Sequence, residues 1–368
     1  MTTVLHVFGA MNIGGAELRT IDLLRDLAPQ GVDFHFLTLS GEAGVLDDEI
    51  RSLGGEIHPI RLDTCFPIRY LQLLRRLRPF AVDSHVATFS GALLLGATMA
   101  QVPVRIAHFR SDGDGHSDTV RRRLQRGVMR LLISVCATDI VGVSPSSLIG
   151  GYSPSWERDP RARVIVNGVR VLDDHGMTNL RDEIGVGPAS TVVLHVGRPS
   201  PEKNRVRAVA VLAAMRASGQ DAHLAFVGGV GADSADVGSI TGAAALESVV
   251  HHLGARRDAH ALMRQADVVL LPSIREGLPG VVLESLAVGT PVVASDLPGV
   301  RFIASQVPGV LAVPLAEPDD IWATAVTEQA RAASDSERRD AIRKGFASSV
   351  FTQEAANAIH RRLYRGSA

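Results

Sequence analysis

Short apolar runs rich in β-branched residues alternate along this chain with amphipathic stretches, the pattern of βαβ units feeding a parallel sheet. In the first half, Val4–Phe8, Val32–Leu39, Ala81–Val86, Val104–His108 and Asp139–Val143 read as strands. Ala16–Leu27, Gly44–Leu53, Pro67–Leu77, Phe89–Ala100 and Thr119–Leu132 read as the helices between them. The polar, proline-bearing stretch from Ser153 to Asp159 breaks the pattern, and a charged linker from Asp173 to Asp182 follows Arg163–Val169. A second alternating series then runs through Val192–Val196, Val206–Ala217, His223–Val227, Ala243–His252, Ala259–Arg264, Val268–Leu271, Gly280–Val288 and Val292–Ala294. The hinge is placed near residues 167–175, and helices at about Asp320–Arg331 and Thr352–Tyr364 close the chain.

Composition narrows this picture to two ordinary domains. A chain of 368 residues is too long for one, and 46% apolar content supplies a core for each. The balance of 38 basic against 39 acidic residues excludes a nucleic-acid binder that works by bulk charge. Cys65 and Cys136 are far apart, show no metal or redox spacing, and are expected to be buried thiols in a reducing cytoplasm. The N-terminus runs straight into a strand with no basic region before it, so no signal peptide is expected. The longest apolar run, Gly91 to Val104, is too short to span a bilayer. A cytoplasmic protein is the expectation.

Candidate chemistry concentrates at strand-to-helix junctions. Pro272-Ser273-Ile274-Arg275-Glu276-Gly277-Leu278-Pro279-Gly280 leads into a predicted helix carrying Glu284. Glu276 and Glu284 can meet a polyol from the turn and from the helix. Gly277, Leu278 and Pro279 leave free N–H groups at the helix start, where the dipole favours anions. Arg198 and Lys203 lie on a Gly/Pro-rich loop after Val192–Val196, placed to neutralise a diphosphate as it leaves. Gly14 and Gly15 follow the first strand and allow close backbone approach, but the loop from Gly9 is longer than a GxGxxG turn, so no dinucleotide fingerprint is present.

His108 and His85 end strands at the carboxyl edge of the first sheet. Asp112-Gly113-Asp114 follows His108 and has the form of a DxD metal motif. Arg121, Arg122, Arg123, Arg126 and Arg130 share a helix with Leu124, Val128, Leu131 and Leu132, a basic amphipathic face of the kind that rests on anionic membrane. Arg69, Arg75, Arg76 and Arg78 make a weaker version of the same case.

Taken jointly, these segments resemble the retaining glycosyltransferases of family four, which share the two-Rossmann-domain GT-B architecture. Their Glu-x7-Glu signature is matched by Glu276 and Glu284, the first glycine loop by Gly9–Glu17, and the phosphate-clamp loop by Gly197–Asn204. The base-binding segment is matched by Leu253–Asp258, which holds Arg257, and by Met263–Ser273. The likeness spans nearly the whole chain. It implies parallel sheets facing across a deep cleft, an acceptor domain at 1–168 and a nucleotide-sugar donor domain at 169–350. A terminal helix at about 352–366 should cross back to the first domain.

The resemblance also implies roles. His108, Arg198, Lys203 and Glu276 would be catalytic. Gly14, Gly15, Arg198, Lys203, Arg257, Glu276, Gly277, Leu278, Pro279 and Glu284 would bind the donor, with Glu284 on the ribose and Glu276 on the hexose. Because cationic side chains serve the diphosphate, no metal and no cofactor are expected, and Asp112-Gly113-Asp114 would belong to an acceptor-side loop. The donor would be UDP-linked rather than GDP-linked, and the acceptor a glycan, a lipid-linked saccharide as in exopolysaccharide-type members, or a natural product. One departure is that Asp296-Leu297-Pro298-Gly299 is followed by Val300 and Arg301, where relatives often carry an acid. Hydrolysis by paired carboxylates is set aside, since one acid is expected to be occupied by ribose. A sugar-nucleotide epimerase or phosphorylase, and a sugar-nucleotide binder without chemistry, remain as other readings.

Overall fold

Two parallel sheets organise the chain in a computed structural model that describes residues 1–111, 119–170, 179–229, 231 and 233–365. The first holds β1 (Thr2–Phe8), β2 (Val32–Thr38), β3 (Glu56–Pro59), β4 (Ala81–Ser84), β5 (Val104–Phe109), β6 (Asp139–Gly142) and β7 (Ala162–Val164), in the order β3-β2-β1-β4-β5-β6-β7. The second holds β8 (Thr191–Val196), β9 (Ala222–Val227), β10 (Val250–His252), β11 (Val268–Leu271), β12 (Val292–Ser295) and β13 (Val310–Val313), in the order β10-β9-β8-β11-β12-β13. The chain divides into two compact units, Met1–Gly168 with the segment from Gln353 onward, and Val169–Thr352.

In unit 1 the period-two alternation of the strands sends Val4, Phe34, Phe36 and Ile106 to one face of the sheet. Leu5, Val7, Val82 and Ala107 go to the other, where the helices Phe66–Leu77 and Ser90–Met99 cover them. The first face receives Leu363 and Tyr364 of the last helix, Gln353–Arg365, so the C-terminal helix does return to the first unit. Asn357 on that helix donates to Asp26 at 2.7 Å. In unit 2, Val193, Leu224, Phe226, Leu270 and Val293 pack against Leu212 and Met215 of the helix Arg205–Ala217 and against the fully buried Trp322.

Most differences from the sequence reading fall where the apolar signal is thin, although the apolar edge strand β13 was not singled out either. β3 (Glu-Ile-His-Pro), β7 (Ala-Arg-Val) and β10 (Val-His-His) are short, polar strands at or near sheet edges. The segment Ala243–His252 is not one element: a helix ends at Ala243, Ala245 turns left-handed at φ 52°, and β10 starts at Val250. Pro145–Gly151, Pro298–Ala304 and Ser336–Ala347 are helices the pattern did not single out. Cys136 is buried, but Cys65 is exposed, because it precedes the first turn of Phe66–Leu77 on a surface loop. Among the described residues, no helix is long and apolar enough to cross a membrane.

Candidate functional site

Each sheet reverses its winding between its first and fourth strands, and ligands of open α/β sheets settle beyond the carboxyl ends at that point. In unit 2 those neighbours are β8 and β11. The loop after β8 carries Arg198 and Lys203, and the loop after β11 carries Glu276, so the sheet order itself brings the two loops side by side. Lys203 Nζ donates to Glu276 Oε1 at 2.6 Å, and Ser273 Oγ donates to the same oxygen at 2.8 Å. Both bonds fall on one oxygen, which leaves Oε2 to accept a ligand hydroxyl. An ammonium has three donors, so Lys203 retains two for an anion.

The backbone holds this pairing. Ile274 N donates to Glu202 O at 2.8 Å, and Asn204 Nδ2 donates to Pro272 O at 3.1 Å. Asn204 is left-handed at φ 52°, which lets the turn Pro201–Lys203 pass directly into the helix Arg205–Ala217. From below, the buried His195 ring has Nε2 3.3 Å from Lys203 O. Burial lowers the His195 pKa to about 4, so near neutral pH the ring is uncharged and donates an N–H. Arg205, itself buried, forks onto Asp233 at 2.6 and 2.9 Å, just before the helix Ser234–Ala243.

Glycine is required at two close approaches here. A Cβ on Gly228 would overlap the Gly197 carbonyl oxygen, and one on Gly299 would overlap that of Gly277. The Asp-x-x-Gly turn therefore survives its unusual sequel: Gly299 packs on the Glu276–Gly277 loop, and Arg301 pairs with Asp296 at 2.9 Å.

Leu278 and Pro279 are buried and lead into the helix Gly280–Ala287. Glu284 is half-buried, with Oε1 3.8 Å from where a Cβ on Gly280 would stand, so its carboxylate folds back toward the helix start. Arg198 is exposed on the Lys203 loop, and Arg257 is exposed after β10, next to Arg256, which pairs with Asp258 and Glu183. The structure thus joins Lys203 directly to Glu276. It places Arg198, Gly277, Leu278, Pro279 and Glu284 on the same two junctions and makes no bond from Arg257 to them.

In unit 1 the corresponding neighbours are β1 and β4. Gly14 is extended before the helix Gly15–Leu27, with the Glu17 carboxylate folded over it. His6, Asp83 and His108 lie on one face of adjacent strands, with His85 just beyond Ser84. The C-terminal helix covers them with His360 and Tyr364. His108 Nδ1 lies 3.3 Å from Asp83 Oδ1, Tyr364 Oη donates to Asp83 Oδ2 at 2.9 Å, and His85 Nε2 lies 3.1 Å from His6 Nδ1. Arg110 donates through Nε to His85 Nδ1 at 3.2 Å and through Nη1 to Asn167 at 2.6 Å.

Burial opposes a charge on Asp83, but His85 and His108 beside it hold its carboxyl well below the usual range. His108 is 1% exposed, and its Nε2 has no protein partner among the described residues. The sequence reading named His108 and His85 but missed Asp83, Arg110, His360 and Tyr364. Asp83 was nonetheless visible as the one charge inside Ala-Val-Asp-Ser.

Burial brings His6, His108 and His360 from an ordinary value of 6.5 to about 4. Their unfolded counterparts take up protons below about 6.5 while the buried rings do not, so stability is full above that value and falls as the pH drops toward 4. Urea unfolding of unit 1 is expected to lose about 1 kcal/mol per histidine between about pH 7.5 and 5.5. A midpoint that stays constant over that range would contradict the arrangement.

Asp112-Gly113-Asp114 lies outside the described residues. On the helix Val120–Cys136, Arg121 and Arg123 face solvent, whereas Arg130 turns inward to the carbonyls of Gly150 at 2.7 Å and Gly151 at 3.0 Å. Val120, Leu124, Val128, Leu131 and Val135 are all exposed, Leu124 at 72%.

Two parallel-sheet Rossmann-like units, with a cation and a carboxylate paired at the switch point of the second, define a nucleotide-type α/β enzyme scaffold. Residues 190–330 match the family of glycosyl transferases group 1. EpsF of Bacillus subtilis (strain 168), provisionally named a glycosyltransferase, is 30% identical over 348 residues, covering 89% of this chain and 88% of EpsF. CapH of Staphylococcus aureus, a capsular polysaccharide biosynthesis glycosyltransferase, is 28% identical over 290 residues, covering 77% of this chain and 79% of CapH. Among solved structures, Anabaena Alr3699/HepE in complex with UDP-glucose superposes with a TM-score of 0.79 at 18% identity, over 100% of both chains. The chain belongs to the group 1 glycosyl transferases and has the GT-B fold; it is an enzyme of the hexosyltransferase class.

Proposed function

We propose that this chain is a retaining, metal-independent glycosyltransferase of family four that moves a hexose or N-acetylhexosamine from a UDP-linked donor. The observation that carries the proposal is the 2.6 Å bond between Lys203 and Glu276 at the switch point of unit 2. It holds a cation for the diphosphate and an acid for sugar hydroxyls together on adjoining loops. Unit 2 is assigned to the donor and unit 1 to the acceptor. Arg198, Lys203 and the start of the helix Gly280–Ala287 take the negative charge that grows on the β-phosphate as the glycosidic C–O bond breaks. Glu276 binds hexose hydroxyls and Glu284 the ribose. The acceptor oxygen forms its bond on the face the diphosphate leaves, and a departing phosphate oxygen takes the acceptor proton. Cationic side chains supply the charge balance that a metal would otherwise provide.

His108, held through Nδ1 by Asp83, is assigned to the reacting centre. HepE, crystallised with UDP-glucose, supports the choice of a UDP-linked sugar. A thermal-shift screen of UDP- and GDP-sugars tests the donor: a UDP-sugar should raise the melting midpoint most, because it binds only the folded state. If no nucleotide sugar moves the midpoint, the proposal fails.

A lipid-linked saccharide is the acceptor favoured by the uncovered apolar stripe on Val120–Cys136, flanked by Arg121 and Arg123. In flotation with anionic liposomes, the protein should rise with the vesicles and lose that association when Leu124 and Leu131 are replaced by Ser. Wild-type protein that stays at the bottom of the gradient would instead point to a dissolved saccharide or natural-product acceptor.

A further inference from the structure

The same pair of histidines closes one edge of each sheet. In the first, His35 on β2 and His58 on β3 stack at 5.2 Å, with His35 Nδ1 2.9 Å from His58 Nε2. In the second, His223 on β9 and His251 on β10 stack at 5.4 Å, with the same two atoms 3.1 Å apart. An aspartate two residues earlier faces the other ring nitrogen in each: Asp33 at 2.9 Å from His35 Nε2, and Asp221 at 3.5 Å from His223 Nε2. One position differs. The parallel register sets Glu56 opposite His35, whereas the register through Leu224 and Val250 sets Val249 beside His223.

We propose that His35, His58 and Glu56 form a binding site for a divalent transition-metal ion, zinc in the first instance, which staples the edge strand β3 to β2. Glu56 Oε2 lies 3.6 Å from His35 Nδ1 and 3.9 Å from His58 Nε2, which completes a triangle with the 2.9 Å separation of the nitrogens. Tetrahedral zinc with bonds of about 2.0–2.2 Å needs donors roughly 3.3–3.5 Å apart, so each atom moves by only a few tenths of an ångström. Two imidazoles and one carboxylate form a donor set suited to zinc, and the fourth position opens to water past the exposed Glu56.

The outer contacts fit as well. Asp33 receives the Nε2 proton of His35 and is itself held by Thr3 Oγ1 at 3.2 Å, the carboxylate–histidine arrangement that fixes a metal-binding tautomer. Glu56 and Asp33 together offset the charge of the ion. The opposing group is Arg76, whose Nη2 is 3.5 Å from His58 Nδ1. It is exposed and free to swing outward when that nitrogen takes up the proton. Without metal, the chain Arg76–His58–His35–Asp33 keeps the donors converged. His6, Asp83 and His85 also cluster, but their side chains are fully buried, and both oxygens of Asp83 are already taken up by His108 and Tyr364.

The test is calorimetric titration of chelator-treated, untagged full-length protein with zinc chloride, read alongside the thermal midpoint. One zinc per chain is expected, with a rise in the midpoint. Glu56→Gln and His58→Gln should each lose that binding, Asp33→Asn should weaken it about 10–100-fold, and His251→Gln should leave it unchanged. Glu56→Gln changes an exposed side chain and keeps the test valid if His58→Gln does not fold. Absence of saturable binding, wild-type binding by Glu56→Gln, or loss of binding on His251→Gln would each overturn the site.

Discussion

Lys203→Met is expected to lower turnover about 100-fold or more while the protein stays folded, on the scale of removing one preorganised donor from a developing anion. The stem of Lys203 crosses Gly197, with Cδ and Cε each 3.3 Å from where a Cβ would stand, and methionine keeps that packing. What disappears is the ammonium. Glu276 is then left with Ser273 as its partner, and an unbalanced carboxylate meets the diphosphate. Glu276→Gln should also be severe, since it keeps the shape but weakens both the hydroxyl contact and the hold on Lys203. The double variant should fall well short of the product of the two single losses, because the groups touch. Steady-state rates with a UDP-sugar check this. A Lys203→Met enzyme within a few-fold of wild type would show that Lys203 does not serve the departing diphosphate.

Asp83→Ala should cost unit 1 roughly 3 kcal/mol or more, the scale of breaking a buried charged network by removing one partner. Asp83 is fully buried and accepts from Tyr364 on the C-terminal helix, with His108 Nδ1 also in reach. Its loss takes from Arg110 the anion that most favours its charge, leaving only the smaller effect of Glu17, and leaves Tyr364 without that acceptor. Tyr364→Phe removes a single bond and should cost about 1 kcal/mol. Urea unfolding measures both, and equal midpoints for wild type and Asp83→Ala would show that the cluster does not hold the last helix in place.

The strands and helices that build the two sheets were legible because β1, β5, β8 and β11 are apolar runs of useful length set between amphipathic segments. Two of the edges were not, because Glu56–Pro59 and Val250–His252 spend their few residues on charged and imidazole side chains; the edge strand Val310–Val313 is apolar but only four residues long. The Lys203–Glu276 contact joins residues 73 apart in sequence. Motif spacing put each residue on a loop, but only the sheet order β8-β11 makes those loops neighbours. The cluster around Asp83 was hidden for a related reason. Its members come from three strands and the last helix, and no local pattern shows that alternation turns His6, Asp83 and His108 to the face which that helix covers. A charged or imidazole residue inside a short apolar strand was the available signal, and His195 under the Lys203 loop carries the same one.

In the proposed mechanism the β8 and β11 loops of unit 2 hold an activated sugar. A crystal structure of the protein with an intact UDP-sugar addresses it most directly. The diphosphate is expected on Lys203 and Arg198, the hexose hydroxyls on Glu276 and the ribose on Glu284. A donor bound with its diphosphate away from Lys203, or with its hydroxyls on neither glutamate, would contradict it.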